Sequence, residues 1–279
     1  MGCLDNKIAL ITGATRGLGL EIAKRFAWEG ASVALVGRDA CALEEVQHQT
    51  RAELRNARQR VLTYPTDLAK QEQLDDLIRS CLRDSERIDV LVNNAAVQGP
   101  IGPFEQNNWP AWKAVFDVNL FAPARLAQLL IPHMRKHGGG KIINLSGGGA
   151  AGSRPHFTAY GASKCALVRW TETLAEELKD DGIDVNAVAP GAMKTRMLEE
   201  LISAGREAAP REYDAAIARS KAHDSAIAKA AALVAWLASS ESDGITGKLI
   251  SAVWDDWQHL GEHREELRMS ERFTLRRVT

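Results

Sequence analysis

"KIALITGATRGLGLEIA", residues 7–23, runs from an apolar segment straight into a glycine-rich turn and on into an amphipathic stretch. The first six residues do not alternate, the pattern of a strand covered on both faces. Gly13, Gly17 and Gly19 let the chain turn tightly and bring backbone N–H groups up to a phosphate. The helix opening at Gly17 points the positive end of its dipole at the same place. Thr15, Arg16 and Leu18 complete a loop suited to the pyrophosphate of a dinucleotide. Glycines at such spacings are common, so the weight comes from the strand before them and the helix after them.

The same rhythm continues along the chain. "SVALV", "RVLTY", "IDVLVN", "GKIINLS", "IDVNAVAP" and "GKLISAV" read as six further strands. Helical patterns fall over roughly 17–29, 40–56, 70–83, 107–137, 158–180 and 225–239. Strand and helix in alternation predict an α/β fold: a Rossmann-type, doubly wound, parallel seven-stranded sheet with helices on both faces. A single dinucleotide-binding catalytic domain spans 1–279. Residues 192–224 interrupt the rhythm and are expected to form a substrate lid, and residues 254–279 a C-terminal tail.

Composition narrows the class. The 279 residues are 45% hydrophobic and 25% charged, enough for a sizeable core. A net charge of −1 offers no basic surface for nucleic acid. No apolar run reaches the roughly 18 residues of a membrane span, and the first residues lack a signal-peptide core. Cys3, Cys41, Cys81 and Cys165 are scattered and form no CxxC, which points to a reducing cytoplasm. His133 and His137, and His259 and His263, stand four apart without a third ligand, so no metal is expected. Trp109, Trp112, Trp254 and Trp257 are read as packing residues. Arg264, Arg268, Arg272 and Arg276, also four apart, are read as a solvated helix stripe or a subunit contact.

Charge at the end of the second strand bears on the cofactor. A NAD site places an acidic residue there for the ribose 2′-hydroxyl. In "SVALVGRD" the position holds Gly37, followed by Arg38, whose guanidinium would pair with a 2′-phosphate. Arg16 could reach the same phosphate. NADP(H) is therefore expected over NAD. The competing assignment makes Asp39 the ribose ligand.

Reacting groups come from "AYGASKCALVRW", residues 159–170. A free tyrosine has a pKa of about 10, too high for proton shuttling near neutrality. Lys164, one helical turn after Tyr160, should favour the phenolate and hold the nicotinamide ribose. Tyr160 is then general acid in reduction and general base in oxidation. Ser146, ending a strand, brings a second hydroxyl to the same sheet edge, where the two would clamp a substrate oxygen. The stretch "SGGGAAGSRPHF" after it should wall the substrate pocket, with Gly148 leaving room and Phe157 adding bulk.

Together these segments resemble the short-chain dehydrogenase/reductase family of the non-extended type. The resemblance rests on "TGATRGLG" at 12–19, "TDL" at 66–68, "NNAA" at 93–96, "VN" at 118–119, "NLS" at 144–146, "YGASK" at 160–164 and "PG" at 190–191. It implies that Asp67 and Leu68 lie beside the adenine, and Asn94 and Ala95 beside its ribose. It also implies that Pro190, Gly191, Ala192 and Thr195 flank the nicotinamide, and that Asn119 positions a water leading to Lys164. The family pattern has glycine where this chain has Ala96, and the last strand ends in "ISAVWDDW" rather than Asp-Gly-Gly. The implied activity interconverts a ketone and a secondary alcohol on a small molecule, in a homotetramer or homodimer. The alternatives are a NAD(H)-linked sugar or polyol dehydrogenase, a nucleotide-sugar epimerase or dehydratase, and a catalytically silent dinucleotide-binding protein.

Overall fold

Each of the seven apolar runs forms a strand in the computed structural model, which describes residues 2–221 and 225–277. They are β1 (Ile8–Thr12), β2 (Ser32–Gly37), β3 (Val61–Pro65), β4 (Val90–Asn93), β5 (Gly140–Leu145), β6 (Ile183–Ala189) and β7 (Leu249–Ser251). All pair in parallel, in the order β3-β2-β1-β4-β5-β6-β7. The order reverses between β1 and β4, which opens a crevice at the carboxyl ends of these strands.

The main helices are α1 (Gly17–Trp28), α2 (Ala40–Arg51), α3 (Gln71–Ser85), α4 (Trp109–Phe116), α5 (Ala122–Lys136) and α6 (Thr158–Leu178). After β6 come α7 (Arg196–Ala204), α8 (Pro210–Lys221), α9 (Ala226–Ala238) and the short α10 (Arg264–Met269). Strand side chains divide between two cores with period two. Ile11, Leu35, Val92 and Ile143 face α1, α2 and α9, where Ile22, Phe26, Leu43 and Val234 are buried. Leu10, Ala34, Leu91 and Ile142 face α3, α5 and α6, against Leu77, Leu126, Leu130 and Leu174. Burying both faces is why the strands read as unbroken apolar runs.

Between α4 and α5 the helix widens into a π turn, Asp117–Phe121. The continuous helix Trp109–Lys136 is long and apolar enough, by composition, to cross a membrane. Lys113, Asp117 and Arg125 interrupt it in sequence, and Leu126, Ala127, Leu130 and Met134 pack it onto the sheet.

Residues 192–221 form the expected lobe through α7 and α8; residues 222–224 lie outside the described residues. The tail departs from its reading. Helix α10 stops at Met269, so Arg264, Arg268, Arg272 and Arg276 form no single stripe. Arg264 bonds the Glu241 carbonyl, while Arg272 pairs with Glu266 and Arg276 with Glu271 and Glu172. The cause is the sheet edge: the Leu249 N–H donates to the Phe273 carbonyl at 2.7 Å, drawing the chain out of helix along β7.

Candidate active site

A cleft of about 1490 Å³ occupies the crevice at the carboxyl ends of the strands. Single small-ligand sites span about 300–1,000 Å³, so this one has room for two ligands end to end. Gly13, Thr15, Arg16, Gly17, Leu18 and Gly19 line one end with Arg38, Asp67 and Leu68. Asn94, Ala95, Pro190, Gly191, Ala192 and Thr195 line its course, and Ser146, Gly148, Tyr160 and Lys164 the far part.

The glycine loop suits a phosphate. Gly13 has φ +65°, and a Cβ there would stand 2.8 Å from Ala95 Cα. Helix α1 begins with no side-chain cap and no acidic residue in its first turn, which leaves N–H donors for an anion. Thr12, a support missed in the sequence, accepts the N–H groups of Asn94 (3.0 Å) and Ala95 (3.1 Å) through its hydroxyl. The Asn94 amide in turn donates to the carbonyls of Thr12 and Gly13, at 2.9 and 3.1 Å. Asn94 thus pins the loop from the end of β4, besides lining the cleft. At the neighbouring strand end Arg38 and Asp39 are both exposed and line the cleft, and Asp39 also caps α2, its Oδ1 accepting the Ala42 N–H at 3.1 Å.

Ser146 leaves β5 with its N–H on the Val188 carbonyl (2.8 Å) and its Oγ buried without a partner among the described residues. Tyr160, in the first turn of α6, is nearly buried; a Cβ on Gly147 would stand 2.3 Å from its Oη. Only a glycine therefore lets the loop after Ser146 pass under the phenol. A chain of buried hydrogen bonds sets α6 against the sheet: Asn93 donates to Asn144 at 2.8 Å, and Asn144 to Thr171 at 2.8 Å.

Burial dominates the electrostatics around the pair. Lys164 Nζ lies 5.8 Å from the Tyr160 ring centre but donates to the Leu145 carbonyl at 2.6 Å. Burial pushes its pKa down to about 7. Burial raises the Tyr160 pKa, and the opposing charge is that of Arg154.

The short chain dehydrogenase family model matches residues 7–205. The chain belongs to the short-chain dehydrogenase/reductase family. It is 33% identical over 249 residues to dehydrogenase/reductase SDR family member 4 of Caenorhabditis elegans, covering 88% of this chain and 93% of that one. Among solved structures it is similar to levodione reductase, with TM-score 0.80 and 27% identity over 92% of this chain and 99% of that one. It is also similar to 7α-hydroxysteroid dehydrogenase complexed with NADH and 7-oxo glycochenodeoxycholic acid, with TM-score 0.78 and 28% identity over 89% and 93% of the two chains. The seven-stranded sheet with flanking helices is that of these oxidoreductases.

Two expected site residues of this short-chain dehydrogenase/reductase stand behind the cleft wall. Asn119 is fully buried in the π turn; its amide donates to the Val97 carbonyl (2.9 Å) and Ser163 Oγ (3.0 Å), and its Oδ1 accepts the Val97 N–H (2.9 Å). Its side chain is spent on backbone and helix. Phe157 is fully buried under the Arg154 guanidinium, 3.8 Å from the ring centre, and does not line the cleft. Ala96 takes no left-handed backbone, so the methyl in place of glycine is accommodated. Trp109 and Trp112 stack at 5.0 Å and Trp257 packs on Trp236, but Trp254 is 86% exposed at the cleft mouth rather than packed. Among the described residues no group of three His, Cys, Asp or Glu side chains could hold a metal. Arg154, Gln98 and Arg219 also line the cleft. Arg154 stood in the quoted wall sequence, but its charge had no visible partner there.

Proposed function

We propose that the chain is an NADP(H)-dependent oxidoreductase that interconverts a ketone and a secondary alcohol, with Tyr160 as general acid and base. One observation carries this reading: the unpartnered buried hydroxyl of Ser146 and the phenol of Tyr160 share one wall of the cleft, beyond a loop fitted to a pyrophosphate. Arg16 and Arg38 would hold the 2′-phosphate, the glycine loop the pyrophosphate, and Lys164 the nicotinamide ribose. Asp39 lines the same stretch but commits its Oδ1 to the α2 cap, which favours Arg38 as the group that reads the ribose.

When bound, the cofactor supplies the hydride in reduction and accepts it in oxidation. Ser146 and Tyr160 direct two O–H donors at the substrate oxygen, where negative charge gathers as the carbon–oxygen double bond opens. Tyr160 then gives its proton to that oxygen, so a carbonyl becomes CH–OH. In the reverse direction the phenolate takes the hydroxyl proton. Burial keeps the phenol protonated before reduction. Tyr160→Phe is expected to bind NADPH with unchanged affinity and to lose about 100-fold or more in kcat, the usual weight of a general acid. Turnover near the parent level would remove Tyr160 from the chemistry.

We further infer a cytoplasmic enzyme, supported by four free thiols, one of them buried at Cys81. We infer a homodimer or homotetramer, supported by the exposed rings of Phe104, Trp109 and Phe121 beside α4 and α5.

A further inference from the structure

Past Ser146 the substrate wall is almost bare. Gly147, Gly148, Gly149 and Gly152 present backbone and Ala151 a methyl group, until Arg154 closes the wall. Its side chain is 18% exposed. The guanidinium carbon lies 3.8 Å from the Phe157 ring centre and 5.8 Å from that of Tyr160. Its Nε bonds Glu212 Oε2 of α8 at 3.1 Å, leaving the two terminal nitrogens as uncommitted donors among the described residues. Stacking on Phe157 holds the fork in plane, and partial burial strengthens its field.

We propose that Arg154 is a specificity-determining residue that binds a carboxylate of the substrate. The preferred substrate is then a ketone or secondary alcohol with a carboxylate a few bonds from the reacting carbon. This rests on the ketone–alcohol reading of the site.

A planar guanidinium donates two N–H bonds side by side to the two oxygens of a carboxylate, a match that neutral groups lack. The lid side carries one more positive than negative group. Arg154, Arg196 and Arg219 line it against Glu200 and Glu212, and Arg196 is paired with Glu200. Arg219 donates to the Ala192 carbonyl at 2.6 Å. Glu212 neutralises Arg154 from a lid helix through Nε, so a carboxylate arriving at the terminal nitrogens shares the guanidinium charge with Glu212. The charge of the substrate is thereby coupled to the seating of α8.

The test compares the 2-, 3- and 4-oxopentanoates with their methyl esters as NADPH-dependent substrates. Binding of the matching hydroxypentanoates to the protein loaded with NADP+ is followed by calorimetry. The parent is expected to favour at least one acid over its ester, through KM. In Arg154→Gln the acid-to-ester ratio of kcat/KM should fall tenfold or more, with weaker hydroxy-acid binding. An unchanged ratio, or a parent indifferent to the charge, overturns the proposal. Glu212→Gln keeps the arginine and removes the carboxylate that shares its charge, so KM for the acid should drop. If it instead raises KM for acid and ester alike, the pair is only a lid tether and the proposal fails. If no ketone turns over while the hydroxy acid still binds through Arg154, the anion site stands and the redox reading falls.

Discussion

Lys164 is a cation folded into a place where charge is costly. Burial brings its pKa from 10.5 to about 7. Between those values the unfolded chain binds more protons than the folded one, so this group makes stability rise with pH and withdraws stability as pH falls toward 7. Without cofactor, the Tm of the parent should climb from about pH 7 to about pH 8, before free thiols, with an ordinary pKa of about 8.5, are half ionised. Lys164→Met should flatten that climb and raise Tm at pH 7 in differential scanning calorimetry. A curve parallel to the parent's would mean that the amine keeps its charge when folded. At the other end of the cleft, Arg38→Asp replaces a phosphate partner with a group that repels it. The ratio of kcat/KM for NADPH over NADH is expected to drop about 100-fold or more, as loss of a charge-assisted pair and its replacement by like charge would give. An unaltered ratio would show that Arg38 does not read the cofactor.

Helix α4, the π turn and α5 illustrate how one element serves the site without touching it. The extra residue in the turn carries Asn119 inward, where it clamps both backbone groups of Val97, in the cleft-lining segment after β4. A single side chain thereby ties three elements, since Ser163 of α6 accepts its remaining N–H and itself donates to the Tyr160 carbonyl at 2.8 Å. Asn119→Ala leaves these polar groups without partners and should cost about 1–3 kcal/mol in urea unfolding. A loss below a few tenths would show that water replaces the amide freely. Trp112 adds a second tie, its indole N–H meeting Thr158 at the start of α6 at 3.1 Å.

Across the molecule, the exposed edges and faces define what it meets. The tail lies along β7, and Leu275 donates its backbone N–H to Glu172 of α6, so that edge is covered by the chain itself. The face carrying Phe104, Trp109 and Phe121 has no such cover among the described residues, each of the three being more than half exposed. Light scattering after gel filtration should report a dimer or tetramer, and Phe121→Glu should shift the distribution toward monomer. A monomeric parent would leave these rings to another role.

The strands, the glycine loop, the order of the cleft-lining segments and the family resemblance were legible because each depends on local pattern. Period, turn residues and spacing along the chain act between near neighbours, and a parallel sheet brings every strand end to one crevice. What tertiary structure alone decided were contacts between residues far apart in sequence. Glu212 reaches Arg154 across 58 positions. Phe157 falls behind the wall because that guanidinium lies over it, and Asn119 is spent on Val97 because the helix widens. Burial, rather than spacing, sets the charge on Lys164. Spacing can place an ammonium one turn from a phenol, but its field depends on how much water the folded chain has removed around it.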